Sequence, residues 1–432
     1  MISNTAVPGK HDTRNVIDSV SRPQLANSCS HATRSCSHGL YSVLSLDAAI
    51  RLVLMARPRS RGSFSEQAYE ILETIHNVLS STANPCALTV QTVFLRDAED
   101  QVECERLLLE HFGRNMPATT YVVEPPCSGA ALAVEAWGMS GDSVRVEYCG
   151  PNVVATTCDG LRWVHCSANF ASLEQGLYRQ ASSAFCHLQK LLERAGVGFE
   201  NVVRTWLYLG SITGPEEGTS RYDLLNRARG DFYQSKNFGG SVRIHNGRQS
   251  VYPASTGIGM RGKGLAVGCL AFSTTRKDAF LLPLENPRQT PAYAYGPAYA
   301  PHAPKFSRAM ALVLGNYITT WISGTASIVD SETLFVGDAA KQTEQTLDNI
   351  ERLIGAENFQ SHGVHGAGAK LSDLARVRIY VKRLEDVTVC REVCERRLAG
   401  VPVLYLQADV CRPDLLVEIE GVAFSAFKKG ER

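Results

Sequence analysis

Apolar residues spaced by two, or by three and four, divide most of this chain into short strands and amphipathic helices. From Gly337 it reads GDAAKQTEQTLDNIERLIGAENF, where Leu347, Ile350, Leu353 and Ile354 recur at helical spacing. Asp338 suits the entry of that helix, since a short carboxylate accepts from its free N–H groups, and Gly355 suits its exit. After a glycine-rich loop, ARVRIYVKRLED alternates as a strand. A helix, VTVCREVCERRLAG, and two strands, VPVLYLQADV and LLVEIEGVAF, follow.

The same order occurs twice upstream. LEQGLYRQASSAFCHLQKLLERAGVGFENVVRTWLYLGSI gives helix, glycine exit and strand, followed by the helix SRYDLLNRARGDFYQ. Earlier, SEQAYEILETIHNVLSS, ALTVQTVFLRDAED, QVECERLLLEHFG, ATTYVVEPP and AALAVEAWG repeat it once more. The two later copies also begin with a hairpin, VRVEYCGPNVVATTCDGLRWVHCSANF and YITTWISGTASIVDSETLFVGD. Strand and helix periods together predict an α+β sandwich for each copy, with helices on one sheet face. The expected divisions are a disordered tail (1–44), a divergent unit (45–142), a second unit (143–282), a linker (283–304) and a third unit (305–432). Three copies suggest an intrachain pseudo-trimer whose uncovered sheet faces bury one another. The linker PLENPRQTPAYAYGPAYAPHAP is expected to be extended, because proline disfavours helix.

Composition narrows the classes. With 432 residues, 44 basic and 43 acidic, the chain has no charge excess to attract nucleic acid or an anionic membrane. No run approaches the roughly 20 apolar residues of a membrane span, and the first forty residues lack the apolar core of a secretory signal. Thirteen scattered cysteines fit a reducing, cytoplasmic setting. Cys29, His31, Cys36 and His38 imitate a metal cluster, but no second pair follows downstream. Cys390 and Cys394 read as core thiols on a helix. The SHGVHGAG loop, with His362 and His365, lacks companion ligands and reads as a flexible insertion. No dinucleotide fingerprint or Ser-His-Asp order is present, so no metal and no cofactor are expected.

Several phrases of the third unit resemble the Rid (reactive intermediate deaminase, YjgF-like) superfamily: FSRAMAL, WISGTASI, GDAAKQTEQTLDNI and VEIEGVAF. Across the second and third units, RTWLY, YDLLNRARGDFY, YPASTGIG, FSRA, ISGTASI and CRPDLLVEIEG resemble the chorismatases, Rid-derived enzymes that remove pyruvate from chorismate. The resemblance implies repeated Rid-like (chorismate mutase-like) units with active sites between them. Departures bear on the chemistry. Deaminating Rid proteins carry a substrate-binding arginine on the strand before the acidic motif, and here that strand has Leu404 near its place. Their Tyr-Ser-Gln-Ala phrase has become Phe306, Ser307, Arg308 and Ala309.

Glu418 is the expected acid, because the resemblance gives the first glutamate of Glu-Ile-Glu the task of protonating the enolpyruvyl group. An exposed glutamate, with a pKa of about 4.3, would be ionised at neutral pH. Apolar neighbours facing a pocket raise that value by desolvation. A solvent-facing pair, Glu418 and Glu420, on an outer strand is the other reading of the same alternation. The resemblance implies that Gly324 paired with Cys411 marks formers of 3-hydroxybenzoate. A strand-end glycine and a small buried thiol are the plainer readings. The substrate would carry two carboxylates and need fixed guanidiniums. Arg308, Arg412, Arg229 and Arg204 are the candidates, two of them expected to touch ligand. Tyr208, Tyr222 and Asn226 offer polar groups, and Ser255 and Thr256 lie in a turn able to meet a carboxylate.

These residues predict a cofactor-independent chorismate lyase or hydrolase acting on a small carboxylate, as a monomeric pseudo-trimer or a homo-oligomer. A Rid-type enamine or imine hydrolase and a non-catalytic ligand-binding protein are the competing expectations.

Overall fold

The computed structural model describes residues 30–36, 39–46, 49–82, 85–170, 176–245 and 251–428. Among these residues the chain builds the same sheet three times. The first contains β1 (Ser30–Cys36), β2 (Gly39–Leu46), β3 (Ala49–Ala56), β4 (Cys86–Leu95), β5 (Ala118–Val122) and β6 (Leu132–Ser140), with α1 (Phe64–Ser80) and α2 (Gln101–Phe112). Its strand order is β1-β2-β3-β6-β4-β5. The second contains β7 (Arg145–Tyr148), β8 (Val153–Cys158), β9 (Leu161–Phe170), β10 (Val202–Gly210), β11 (Ala254–Met260) and β12 (Leu265–Thr274), with α3 (Leu177–Arg194) and α4 (Arg221–Tyr233). Its order, β7-β8-β9-β12-β10-β11, is the same.

The third sheet has the same order, β13-β14-β15-β18-β16-β17, and gains a seventh short strand, Arg243–Ile244 from the second unit, parallel to β13: β13 (Ala279–Leu284), β14 (Ala309–Leu314), β15 (Tyr317–Ala326), β16 (Leu374–Val381), β17 (Val403–Gln407) and β18 (Val417–Ala426). Its helices are α5 (Ala339–Ile354) and α6 (Val387–Arg397). In every sheet the last two strands in spatial order run parallel, which requires the helical crossover between them.

Local chemistry explains the helix ends. Ser63 and Glu66 form a capping box at α1, and the Asp338 carboxylate accepts the Lys341 N–H at 3.0 Å at α5. Leu347, Ile350, Leu353 and Ile354 of α5 bury against the third sheet. Cys390 and Cys394 lie in that same core.

Four sequence expectations change. Residues 30–36 and 39–44, assigned to the tail, form β1 and most of β2, so the first unit also opens with antiparallel strands. Alternation did not reveal β1 because SHATRSC is polar and largely exposed. β13 pairs with β14 of the third sheet, which moves residues 279–282 out of the second unit. The SHGVHGAG loop is anchored, since Val364 and Ala367 are buried in the third core. The proposed linker is pinned by side chains rather than freely extended, with a short 3-10 turn at Ala292–Ala294. The Cys29 and His38 members of the imitated metal cluster lie outside the described residues; within them no group of His, Cys, Asp and Glu could hold a metal ion. No helix among the described residues is long and apolar enough to cross a membrane.

The helix-free faces of the three sheets bury one another. One shared cluster joins Val53, Trp163, Phe272, Met310, Trp321 and Phe424, and a second joins Phe94, Ala133, Tyr208, Ala266, Tyr380 and Leu406. Between them lies a buried ionic network drawn from all three units. Glu420 of β18 accepts from Arg376 Nη1 at 3.0 Å and pairs with Arg378 Nη1 at 3.1 Å. It also accepts from Trp206 Nε1 at 3.2 Å, from Arg204 and from the Thr256 hydroxyl. Glu135 of β6 accepts from Arg378 Nε at 2.6 Å and from Trp137 Nε1 at 2.8 Å, and lies 3.3 Å from Arg376 Nε. Each of these five ions is at most 2% exposed.

Removing one member of such a network leaves its partners buried and undercompensated, at a cost of about 3–5 kcal/mol. Glu135→Gln therefore lowers the unfolding free energy by about that amount in denaturant titration, while unfolding stays a single transition because the network spans all units. An unchanged midpoint contradicts this arrangement.

Candidate active site

Glu418 stands two residues before Glu420 on β18, on the same face of the strand. Opposite it, the pairing of β15 with β18 slips between Ile322 and Thr325, a bulge that contains Gly324. A Cβ at position 324 would run into the Glu418 carboxyl and approach Thr256 Cγ2 to 3.3 Å. Glycine is thus what allows the carboxyl to lie against the bulge.

The second unit supplies the facing wall through Ser255 and Gly257 of β11 and Tyr222, Asp223 and Asn226 of α4. Arg229 fixes this wall from behind, donating to Asn226 Oδ1 at 2.6 Å and to Ser255 Oγ at 3.3 Å. Ser323 Oγ accepts the Ser255 N–H at 2.9 Å and donates to the Ser307 carbonyl at 2.6 Å, which stitches the two units together beside the cavity.

Arg308 and Arg412 enter from the third unit, and the linker forms the roof with Tyr295, Tyr299, Pro301 and Pro304. Arg308 Nη2 donates to the Tyr295 hydroxyl at 2.6 Å and to the Thr290 carbonyl at 3.0 Å. Arg412 Nη1 donates to the Ser331 carbonyl at 2.8 Å, and its guanidinium lies 5.1 Å from the Tyr295 ring and 5.7 Å from the Tyr299 ring. Tyr299 donates to Glu332, and Asp223 accepts the His302 backbone N–H at 2.9 Å. Arg308 Nε and Arg412 Nη2 are buried without a hydrogen-bond partner. The cavity has a volume of about 110 Å³.

The electrostatics separate the two glutamates. Burial lifts the Glu418 carboxyl to about 8; the Glu420 charge adds to this, and Arg204 and Arg308 only partly oppose it. Burial also works against the ionised form of Glu420, but Arg376, Arg204 and Arg378 hold it down to about 2. Glu418 is therefore a neutral acid at pH 7 beside a permanent anion. Burial, reinforced by Glu418, pushes the Cys411 thiol to about 12, so it stays protonated. Burial raises the Tyr222 phenol as well, with Cys411 the next cause.

Of the residues selected from sequence, Glu418, Cys411, Gly324, Arg308, Arg412, Tyr222, Asn226 and Ser255 meet at this cavity. Four others stand elsewhere. Arg204 and Thr256 are engaged with Glu420; Tyr208 accepts from Arg378 Nη1 at 2.6 Å; Arg229 lies behind the wall. Asp223 of α4 escaped the sequence reading, as did Tyr295 and Tyr299, because a Pro- and Tyr-rich linker carries no pattern that announces a roof. Arg376 and Arg378 left a usable signal, as two cations at period two on the apolar strand LARVRIYV demand buried counter-charges.

Register shows why the cavity bears its acid once. Glu418 faces Tyr380 across the sheet; the matching pairs are Phe94 with Ala133 in the first unit and Tyr208 with Ala266 in the second. The strand edges themselves are also occupied between units, as where Cys127 N–H donates to the Tyr405 carbonyl at 3.0 Å.

The family described as chorismatase FkbO/Hyg5-like, N-terminal, matches residues 135–271. The chain is 36% identical over 277 residues to a 3-hydroxybenzoate synthase of Streptomyces hygroscopicus, covering 61% of this chain and 76% of that protein. It is 34% identical over 271 residues to a chorismatase of the same organism, covering 61% of this chain and 74% of that one. A chorismatase crystal structure superposes with a TM-score of 0.61 at 22% identity, over 88% of this chain and all of that one, a likeness of fold.

A carboxyl held neutral in the fold but ionised in the unfolded chain makes stability fall as pH rises from about 4.5 towards 8, because the folded state binds the extra proton. Above both values the slope ends. Glu418→Gln removes this contribution, so the variant gains stability over the parent chain at pH 8 relative to pH 5, on the order of 1–3 kcal/mol. Denaturant titrations at the two pH values measure it; a difference independent of pH contradicts a neutral Glu418.

Proposed function

The chain belongs to the chorismatase family, and from that premise we propose that it removes pyruvate from chorismate, or from a closely related cyclic enol ether, with 3-hydroxybenzoate as the aromatic product. The observation that carries this reading is a buried, protonated Glu418 facing a cavity that two guanidiniums share.

Protonating an enol ether at its methylene carbon requires a donor that still holds its proton near neutrality. Glu418 meets that need. The proton forms a new C–H bond and leaves an oxocarbenium centre, which the neighbouring ring hydroxyl attacks as it gives up its proton, closing a cyclic ketal. Loss of the ring proton beside the original ether oxygen, with cleavage of the bond between the ring and the former hydroxyl oxygen, aromatises the ring; the resulting hemiketal then collapses, releasing pyruvate and leaving the ether oxygen on the ring as the phenol. Arg308 and Arg412 suit the two carboxylates, each with one buried N–H directed to no protein acceptor. Binding would draw Arg308 from the Tyr295 hydroxyl or add to that contact, so Tyr295 and Tyr299 join the list of substrate-facing groups.

Product choice turns on Gly324 and Cys411. The atoms of chorismate equal those of pyruvate plus 3-hydroxybenzoate, so this outcome needs no added water, whereas hydrolysis to a dihydroxycyclohexadiene carboxylate consumes one. Gly324 leaves ring space beside the acid, and Cys411 presents a neutral S–H able to relay a proton rather than a thiolate nucleophile. The Rid-type alternative needs an arginine from the strand holding Leu404; that side chain is buried in the interunit apolar cluster, and β17 contributes nothing to the cavity. The cysteines among the described residues are free thiols, which favours work in the cytoplasm.

Incubation with chorismate, with pyruvate and aromatic products followed by chromatography, should yield 3-hydroxybenzoate. Glu418→Gln is expected to lose about 10²–10⁴-fold in kcat. In the parent enzyme kcat/KM should fall as pH rises through about 8, as the acid loses its proton. Full activity in Glu418→Gln, or no product from folded protein, removes the proposal. Gly324→Ala, by displacing the carboxyl, should lower turnover and divert product toward the hydrolysed diene.

A further inference from the structure

Four residues beyond Glu135 on β6, Met139 faces Arg51 of β3. At the equivalent register Phe272 faces Trp163 in the second unit, and Phe424 faces Thr319 in the third. One layer of the interunit core therefore combines a guanidinium, an indole and a hydroxyl, one from each unit. The Arg51 guanidinium lies 4.0 Å from the centre of the Trp163 ring, and the residue is only 8% exposed. Among the described residues, the ionisable groups acting on it are the Tyr317 phenol and the Cys158 thiol, with no carboxylate among them. This contrasts with Arg204, Arg376 and Arg378, which share two glutamates.

The surroundings are rich in unsatisfied polar atoms. Trp163 Nε1, Thr156 Oγ1, Thr319 Oγ1 and His165 Nδ1 are buried without hydrogen-bond partners. Thr156 faces Trp163 directly across β8 and β9, and His165 lies two residues further along β9 on the same face. Burial, helped by Arg51, pushes the His165 imidazole down to about 3, so it supplies no compensating charge. The rings of Phe272 and Trp321, 4.2 and 5.8 Å from Trp163 between centroids, bound the layer tightly.

A cation taken out of water without a counter-charge costs several kcal/mol, and each buried donor without an acceptor adds to that. We propose that Arg51, Trp163 Nε1 and the Thr156 and Thr319 hydroxyls form a binding site for a small inorganic anion of the chloride type, shared by the three units. The guanidinium supplies the charge, and the indole N–H and two hydroxyls are the donors this layer leaves without acceptors. Bound there, the anion joins the three sheets at a second point along their common core, separate from the substrate cavity.

The test compares thermal unfolding in sodium gluconate and in sodium chloride at equal ionic strength. The parent chain should gain about 2 °C when chloride reaches roughly ten times its dissociation constant. Arg51→Met should show no chloride-specific gain, and Thr319→Val should need more chloride to reach it. A parent chain indifferent to chloride, or an Arg51→Met variant with the same gain, overturns the site. Should Arg51→Met fail to fold, crystals of the parent grown with bromide decide: an anomalous peak beside Arg51 and Trp163 supports the site, and its absence there overturns it.

Discussion

The molecule depends on the charge of Glu420. Two carboxyl groups two residues apart on one strand face cannot ionise with equal ease in a buried setting. Arg376 and Arg378 from the third unit and Arg204 from the second decide the contest, holding Glu420 as the anion. Glu418, with apolar neighbours and that anion beside it, keeps its proton. The network is thus a structural joint and, after burial, the second support of the neutral acid. Neither task can be altered without disturbing the other, since the same guanidiniums bind Glu135 of the first unit.

That coupling gives the first unit a purpose although it lends no side chain to the cavity. Its Glu135 supplies the second negative charge that three buried arginines need. Without it the excess positive field near Glu418 would grow, and a carboxyl in such a field releases its proton more readily. The repeated sheet also explains how one site survives out of three equivalent positions. Ala133 and Ala266 occupy the Glu418 register, and Gly268 occupies the Glu420 register. With Ala133, Ala266 and Gly268 at these registers, the strand faces there carry no carboxylate and are buried.

Much of this was legible in the chain. Helical stripes such as Leu347, Ile350, Leu353 and Ile354 and alternating strands such as VEIEGVAF are local patterns, so the repeat showed itself without coordinates. Glu418, Gly324 and Cys411 were found because their strand phrases resemble a family, and Glu418 and Gly324 meet because a bulge places them face to face. The roles of Arg204 and Tyr208 were not legible, because an arginine on a strand looks alike whether it grips a ligand or a neighbouring glutamate. Tyr295 and Tyr299 were missed for a related reason: a linker becomes a roof through tertiary anchors, such as the Arg308–Tyr295 contact, that no spacing encodes. The strand Ser30–Cys36 escaped because its pairing partner, not its own apolar content, holds it in place.

The central claim is that Glu418 holds a proton at neutral pH because burial, reinforced by its ionised neighbour, keeps it there. Infrared difference spectroscopy at pH 7 between the parent chain and Glu418→Gln reads this directly through the carbonyl stretch of a protonated carboxylic acid. The account predicts such a band in the parent, absent from the variant and persisting until the pH passes about 8. A carboxylate signature for Glu418 at pH 7 would contradict it.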